Sequence, residues 1–168
     1  GSGAALAAPT VVSGPGAQPE CFAPWSADTK YMKWAAKEGP FKIAVVNGFV
    51  GNTWRIQMVK TAKAFAEDPS IKDKIAEFKV VSTGTDAPAQ LGAIEDFINQ
   101  GYDAIITIAV APTGFDRVIR LADKNDVVLV PFDNVLDTEA VMQVNEDQLA
   151  MGRRWGEFIL GELHEMGI

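Results

Sequence analysis

Val127-Val128-Leu129-Val130-Pro131-Phe132-Asp133-Asn134 is an unbroken apolar run closed by a carboxylate and an amide. A strand apolar at every position is covered on both faces, which marks a parallel sheet held between helix layers rather than an antiparallel sheet with one wet face. In open α/β sheets ligands bind in the crevice at the carboxyl ends of the strands, so Asp133 and Asn134 stand where a site belongs. An earlier strand runs into a second polar cluster, in Ile43-Ala44-Val45-Val46-Asn47-Gly48-Phe49-Val50-Gly51-Asn52-Thr53-Trp54-Arg55. The two clusters together point to a small polyhydroxylated molecule.

Working outward, apolar strands near 42–47, 78–82, 103–109 and 127–132 alternate with segments of helical period, the pattern of a doubly wound α/β sheet. The first helix carries Trp54, Met58, Val59, Ala62, Phe65 and Ala66 along one face and ends at Asp68-Pro69. The second carries Leu91, Ile94, Phe97 and Ile98, with Gln100-Gly101 as its C-terminal turn, and the third carries Phe115, Val118, Ile119 and Ala122. Ahead of the sheet, Ser26 is placed to cap a short helix over 27–38 that Gly39-Pro40 stops. After a short strand over 140–144, Asn145 is placed to cap a long helix, with Gln148 reaching back in a capping box. Its stripe is Leu149, Gly152, Gly156, Ile159 and Leu163, and each glycine costs about 1 kcal/mol against alanine, which a close helix contact offsets.

The expected organisation is a disordered tag or leader remnant over 1–19, an extension with a short helix over 20–40, one α/β lobe over 41–144, and over 145–168 a helix that belongs to an absent second lobe. The small residues around Ala5-Leu6-Ala7-Ala8 resemble the end of a removed signal peptide and hint at export. Cys21 is the one cysteine, read as an unmodified thiol, and with the one histidine, His164, it offers too few soft ligands for zinc. No metal and no cofactor is called for.

A hydrophobic content of 48% and a charged content of 22% are those of an ordinary globular chain, and a net charge of −7 argues against nucleic acid or an anionic membrane surface as partner. No apolar run approaches the roughly 18 residues of a membrane helix. Catalysis has no constellation either. Gly48-Phe49-Val50-Gly51 lacks the spacing of a dinucleotide loop, and neither a phosphate-binding lysine loop nor a nucleophile elbow occurs.

The order and spacing of Ile43-Ala44-Val45-Val46-Asn47, Gly51-Asn52-Thr53-Trp54-Arg55, Gln100-Gly101-Tyr102-Asp103-Ala104-Ile105-Ile106, Pro112-Thr113-Gly114, Val130-Pro131-Phe132-Asp133-Asn134 and the crossover segment Val144 to Gly152 resemble the first half of a periplasmic sugar-binding protein of an ABC importer. The resemblance is to the ribose-binding-like class with the type I, Rossmann-like two-lobe fold, and it covers Phe41 to about Gly167. It implies a sugar closed between two lobes, an ABC permease in the membrane as partner, and an exported, periplasmic protein whose signal peptide has been removed. It also implies that Asp133 accepts hydrogen bonds from sugar hydroxyls. Many relatives follow that aspartate with arginine where this chain has Asn134, and several share the pair Trp54-Arg55. Asn134 offers a donor and an acceptor in place of a charged fork and so changes the hydroxyl pattern read there, while the Trp54-Arg55 pair favours a pentose, furanose or polyol over strict ribose. The alternative is the effector-binding lobe of a LacI-type transcriptional regulator or a sugar-sensing receptor. The regulator needs a DNA-binding helix pair ahead of the first strand, and the segment before Phe41 is short and not basic.

The chemistry of the residues agrees with a saccharide. Trp54 or Phe49 offers a flat apolar surface for C–H faces, while Asp133, Arg55, Asn47 and Asn134 offer planar polar groups for hydroxyls. Each has a plainer reading beside the binding one. Asp133-Asn134 is also turn chemistry, Arg55 also a solvated first-turn residue, Trp54 also core, and Asn47 or Asn52 also a helix cap. The final helix, over 145–166, is expected to self-associate or to pair with the missing lobe, because its apolar stripe calls for cover.

Overall fold

A computed structural model describes residues 9–13 and 27–168. Its elements are β1 (Thr10–Ser13), β2 (Lys30–Lys33), β3 (Phe41–Asn47), α1 (Thr53–Ala66), β4 (Ile75–Ser82), α2 (Ala87–Asn99), β5 (Ala104–Thr107), α3 (Asp116–Lys124), β6 (Val128–Pro131) and α4 (Gln148–Glu165). Residues 1–8, Cys21 and the expected cap Ser26 lie outside the described residues.

The main sheet is parallel, in the order β4-β3-β5-β6. The chain moves from β3 outward to β4, returns across β3 to β5, and continues to β6. Right-handed crossovers therefore set α1 on one face and α2 and α3 on the other, and the direction reverses between β3 and β5, the topological switch point. Ala44 pairs with Ile105 and Ile105 with Leu129 in one row. That row and Val46 pack against Ile94, Phe97 and Ile98 of α2, and Val118, Ile119 and Ala122 of α3, in one buried cluster. Both helices bury the stripe that their period predicts.

Elsewhere the structure departs from the sequence reading. Lys30–Lys33 is a strand paired antiparallel with Thr10–Ser13, not part of a helix over 27–38, and Thr10–Ser13 is ordered as its partner rather than disordered. Lys-Tyr-Met-Lys sets two half-buried apolar residues between exposed lysines, and it forms a strand because a β-prone partner, Thr-Val-Val-Ser, is supplied from far upstream. The expected strand over 140–144 reduces to a single bridge between Phe132 and Val144. On α1, Trp54 and Phe65 are 51% and 64% exposed, so the helix rests on Ala66 and on the half-buried Met58, Val59 and Ala62.

α4 starts later than expected. Asp147, not Asn145, is its cap, accepting from the Ala150 N–H at 2.8 Å. Gln148 bonds Glu146 instead of closing a capping box, and Asn145 accepts from the N–H of Glu146. A carboxylate at the cap meets the partial positive charge of the helix start better than an amide does. No residue of α4 is buried, and Leu149, Trp155, Phe158, Ile159 and Leu160 are all exposed.

Candidate functional site

β3 ends at Asn47, which is fully buried. Its amide nitrogen donates to the carbonyl of Phe49 at 3.2 Å and to the Ser82 hydroxyl at 3.1 Å. Its carbonyl oxygen accepts from Arg55 Nη1 at 2.8 Å. One buried amide thus ties the end of β3 to the end of β4 and points a guanidinium. The loop that follows crosses itself closely: a Cβ on Gly51 would lie 2.1 Å from the Phe49 ring, so only glycine lets that ring fold over the loop.

Asn52 caps α1, its side-chain oxygen accepting from the Arg55 N–H at 2.8 Å. The cap reading of Asn52 is thus present in the structure, and it fixes Arg55 in the first turn, beside the sheet. Arg55 Nη2 then reaches across the end of β5 to Asp133 Oδ2 at 3.8 Å, and its guanidinium lies 5.2 Å from the centre of the Trp54 ring. At that distance the ion pair adds little stability by itself. Its consequence is geometric, because two walls of the sheet's carboxyl end are held facing one another.

Asp133 sits at φ 64°, a left-handed conformation that aspartate tolerates better than most residues, and its N–H donates to the Val144 carbonyl at 3.1 Å. The strained turn lifts the carboxylate out of β6 toward Arg55. The Asn134 amide nitrogen donates to the Ala109 carbonyl at 2.7 Å, which leaves its oxygen as the acceptor. Of the residues selected from sequence, Asn47, Trp54, Arg55 and Asp133 come together directly. Phe49 lies exposed on the adjoining loop, Asn134 is anchored on the far wall, and Asn52 serves as the cap.

The cluster carries one cation and one anion, amides, and two half-exposed aromatic rings, with Val50 and Val135 exposed nearby. Net neutrality with paired acceptors and a donor fork suits hydroxyl groups and disfavours a free anion or cation. Among the described residues, no three of His, Cys, Asp and Glu gather to hold a metal ion, and no helix is long and apolar enough to cross a membrane.

Sequence reasoning passed over Ser82, Thr107 and Gln90. Thr107, fully buried, donates to the Val46 carbonyl at 2.8 Å. Gln90, 1% exposed, donates to the Ile108 carbonyl and accepts from the Val110 N–H, both at 2.8 Å. The signal for Gln90 was its register: it lies four residues before Ile94, on the stripe that faces the sheet.

Compared with known proteins, residues 43–167 match the family model described as a periplasmic binding protein domain. The galactofuranose-binding protein YtfQ of Escherichia coli (strain K12) is 26% identical over 115 residues, which are 66% of this chain and 35% of that protein. The structure of an ABC transporter solute binding protein from Thermobispora bispora DSM 43833 superposes with a TM-score of 0.59 at 28% identity, covering 64% of this chain and 34% of that one. The periplasmic binding protein component of the arabinose ABC transporter from Shewanella sp. ANA-3, bound to alpha and beta-L-arabinofuranose, shares the fold with a TM-score of 0.64 at 24% identity, covering 73% of this chain and 40% of that one. The chain therefore spans about a third of the length of the curated relative it matches. These similar proteins bind solutes and are not enzymes.

Proposed function

We propose, for a chain that belongs to the periplasmic binding protein family, that it supplies one lobe of an exported solute-binding protein that takes a neutral monosaccharide or polyol, a furanose or pentose first among them, and delivers it to an ABC permease in the membrane. The observation that carries the reading is the Asn47–Arg55–Asp133 chain at the carboxyl end of the sheet. Arg55 is fixed by a buried amide on one side and by a carboxylate on the other, so its remaining N–H groups are pre-aimed before any ligand arrives. Asp133 and the Asn134 oxygen accept from hydroxyls, Arg55 donates to them, and Trp54 and Phe49 offer apolar faces to the C–H side of a sugar ring. The names of similar proteins, one galactofuranose-binding and one holding arabinofuranose, support the furanose end of the range.

The second lobe of such a protein closes the other side of the sugar. The bare apolar face of α4 is where that lobe, or a second copy of this chain, packs. Calorimetric titration with L-arabinose and D-galactose tests the reading. One lobe alone gives millimolar affinity or weaker, about −4 kcal/mol. In the two-lobed form, Asp133→Ala lowers affinity at least about tenfold, since a charged hydrogen bond contributes about 1.5 to 3 kcal/mol. Unchanged affinity in that variant removes Asp133 from the site, and micromolar binding by the single lobe rejects closure between two lobes.

A further inference from the structure

Gln90 lies in the first turn of α2, a helix that contributes no side chain to the Asn47–Arg55–Asp133 cluster, and at 1% exposure it touches no ligand. Its amide is nevertheless spent on the loop between the two walls of the site. The nitrogen donates to the Ile108 carbonyl and the oxygen accepts from the Val110 N–H, both at 2.8 Å, so the side chain brackets Ala109 on both sides. The Ala109 carbonyl is the group that accepts from the Asn134 amide at 2.7 Å. On the other wall, Val110 seats against Gly48, where a Cβ would come within 2.6 Å of Val110 Cγ2, and Gly48 directly follows Asn47. The same glutamine nitrogen lies 3.5 Å from the Val46 carbonyl of β3.

We infer that Gln90 is a positioning residue for the binding site: by fixing the peptide planes on either side of Ala109, it orients Asn134 on one wall and holds Val110 over Gly48 on the other, so that both walls keep one spacing. The inference rests on the proposed reading for its biological meaning, but not for its physical content. Isosteric substitution separates the two polar functions of the amide. A glutamate at position 90 still accepts from the Val110 N–H when ionised, but it cannot donate to the Ile108 carbonyl. A methionine matches the length and does neither.

The test uses this chain, uniformly labelled with nitrogen-15, without any sugar. In Gln90→Glu, the Asn134 side-chain amide protons exchange with solvent at least about tenfold faster than in the wild type, as expected when an ordering contact opens locally. Their resonances shift, and so does the Val110 amide. Ile94→Val serves as the control, destabilising the same core without touching the amide bracket, and leaves the Asn134 resonances in place. Where Gln90→Glu does not fold, Gln90→Asn takes its role, because it keeps both polar functions and falls a methylene short of the loop. A folded Gln90 variant whose Asn134 resonances and exchange match the wild type overturns the inference, as does an Ile94→Val control that moves them equally. Because no sugar enters the comparison, a chain that binds none counts against the proposed function alone.

Discussion

At the carboxyl end of the sheet the buried polar side chains are neutral: Asn47, Gln90 and Thr107, bonded mostly to backbone carbonyls. At the amino end of the same sheet the corresponding positions are ions. Lys37 lies 3.3 Å from Asp126 and 3.7 Å from Asp103, and Lys42 lies 3.8 Å from Glu77 and 4.6 Å from the centre of the Tyr102 ring. Lys79 holds the Glu77 carboxyl below its ordinary range through a hydrogen bond, while burial pushes the Tyr102 hydroxyl up. A neutral network fixes backbone geometry without fields that salt or pH alters, and leaves Arg55 and Asp133 as the charged pair of the candidate site. An ionic network ties distant segments together, here the segment before β3 to the loop before β6, at a strength that depends on both salt and pH. One end is built to hold a shape, the other to hold the chain together.

Asn47→Ala breaks that division most directly. The change removes one buried side chain that donates to Phe49 and Ser82, and it leaves Arg55 Nη1 without its acceptor. Stability falls by about 3 kcal/mol, in line with lost buried hydrogen bonds plus unsatisfied partners, and sugar affinity falls with it because Arg55 is no longer aimed. Thermal unfolding read beside calorimetry checks both. If stability drops and affinity does not, the neutral network belongs to the fold alone and the contrast between the two ends disappears.

Lys37→Ala probes the opposite end. Asp126 is 4% exposed with Oδ1 buried and unpartnered among the described residues, so removing Lys37 leaves a buried carboxylate short of its counter-charge. Lys37 also donates to the Asp126 carbonyl at 2.6 Å. Breaking a fully buried pair costs about 3 to 5 kcal/mol. Lys37 is 32% exposed, and solvent screening brings the expected loss down to about 1 to 2 kcal/mol. The wild-type advantage shrinks in high salt, and sugar affinity stays as it was. Urea melts at low and high salt measure it, and an affinity change equal to that in Asn47→Ala erases the distinction drawn between the ends.

How far sequence discloses these ends follows from the range of the interactions. β3, β5, β6 and the buried stripes of α2 and α3 are legible because each is a local run with its own period, and a two-faced apolar strand admits few settings. Asp133 and Arg55 were legible as candidates because strand ends in this topology face the crevice. The pairing of β2 with β1 is not local: the partner of Lys30–Lys33 lies beyond a connection of more than a dozen residues, and taken alone the stretch 27–38 that holds β2 reads as a capped helix. Asn47 was visible as a polar strand end, but its bond to Arg55 depends on where α1 starts, which Asn52 decides as the cap. Gln90 was hidden by its type, since a glutamine in a first helical turn reads as surface until the sheet edge it meets is known.

The smallest expected effect sharpens the comparison from the charged side. Asp123 lies in the last turn of α3, at the amino end of the sheet and at the negative pole of its own helix. Burial raises its carboxyl above the ordinary value of 3.8. A carboxyl whose folded pKa is raised binds its proton more tightly in the native state than in the unfolded chain. Native stability therefore falls as pH climbs from the unfolded value through the raised folded one, and the cost stays constant above that window. Asp123→Asn removes the cost. The side chain is only part-buried, so solvent screening keeps the gain below about 1 kcal/mol, with the variant the more stable at pH 7 and indistinguishable from the wild type once the pH is below the ordinary carboxylate value. Denaturant melts of both proteins across acid and neutral pH measure the difference. A gain that persists unchanged into acid shows that charge is not its source, and Asp123 then leaves the electrostatic account of the amino end.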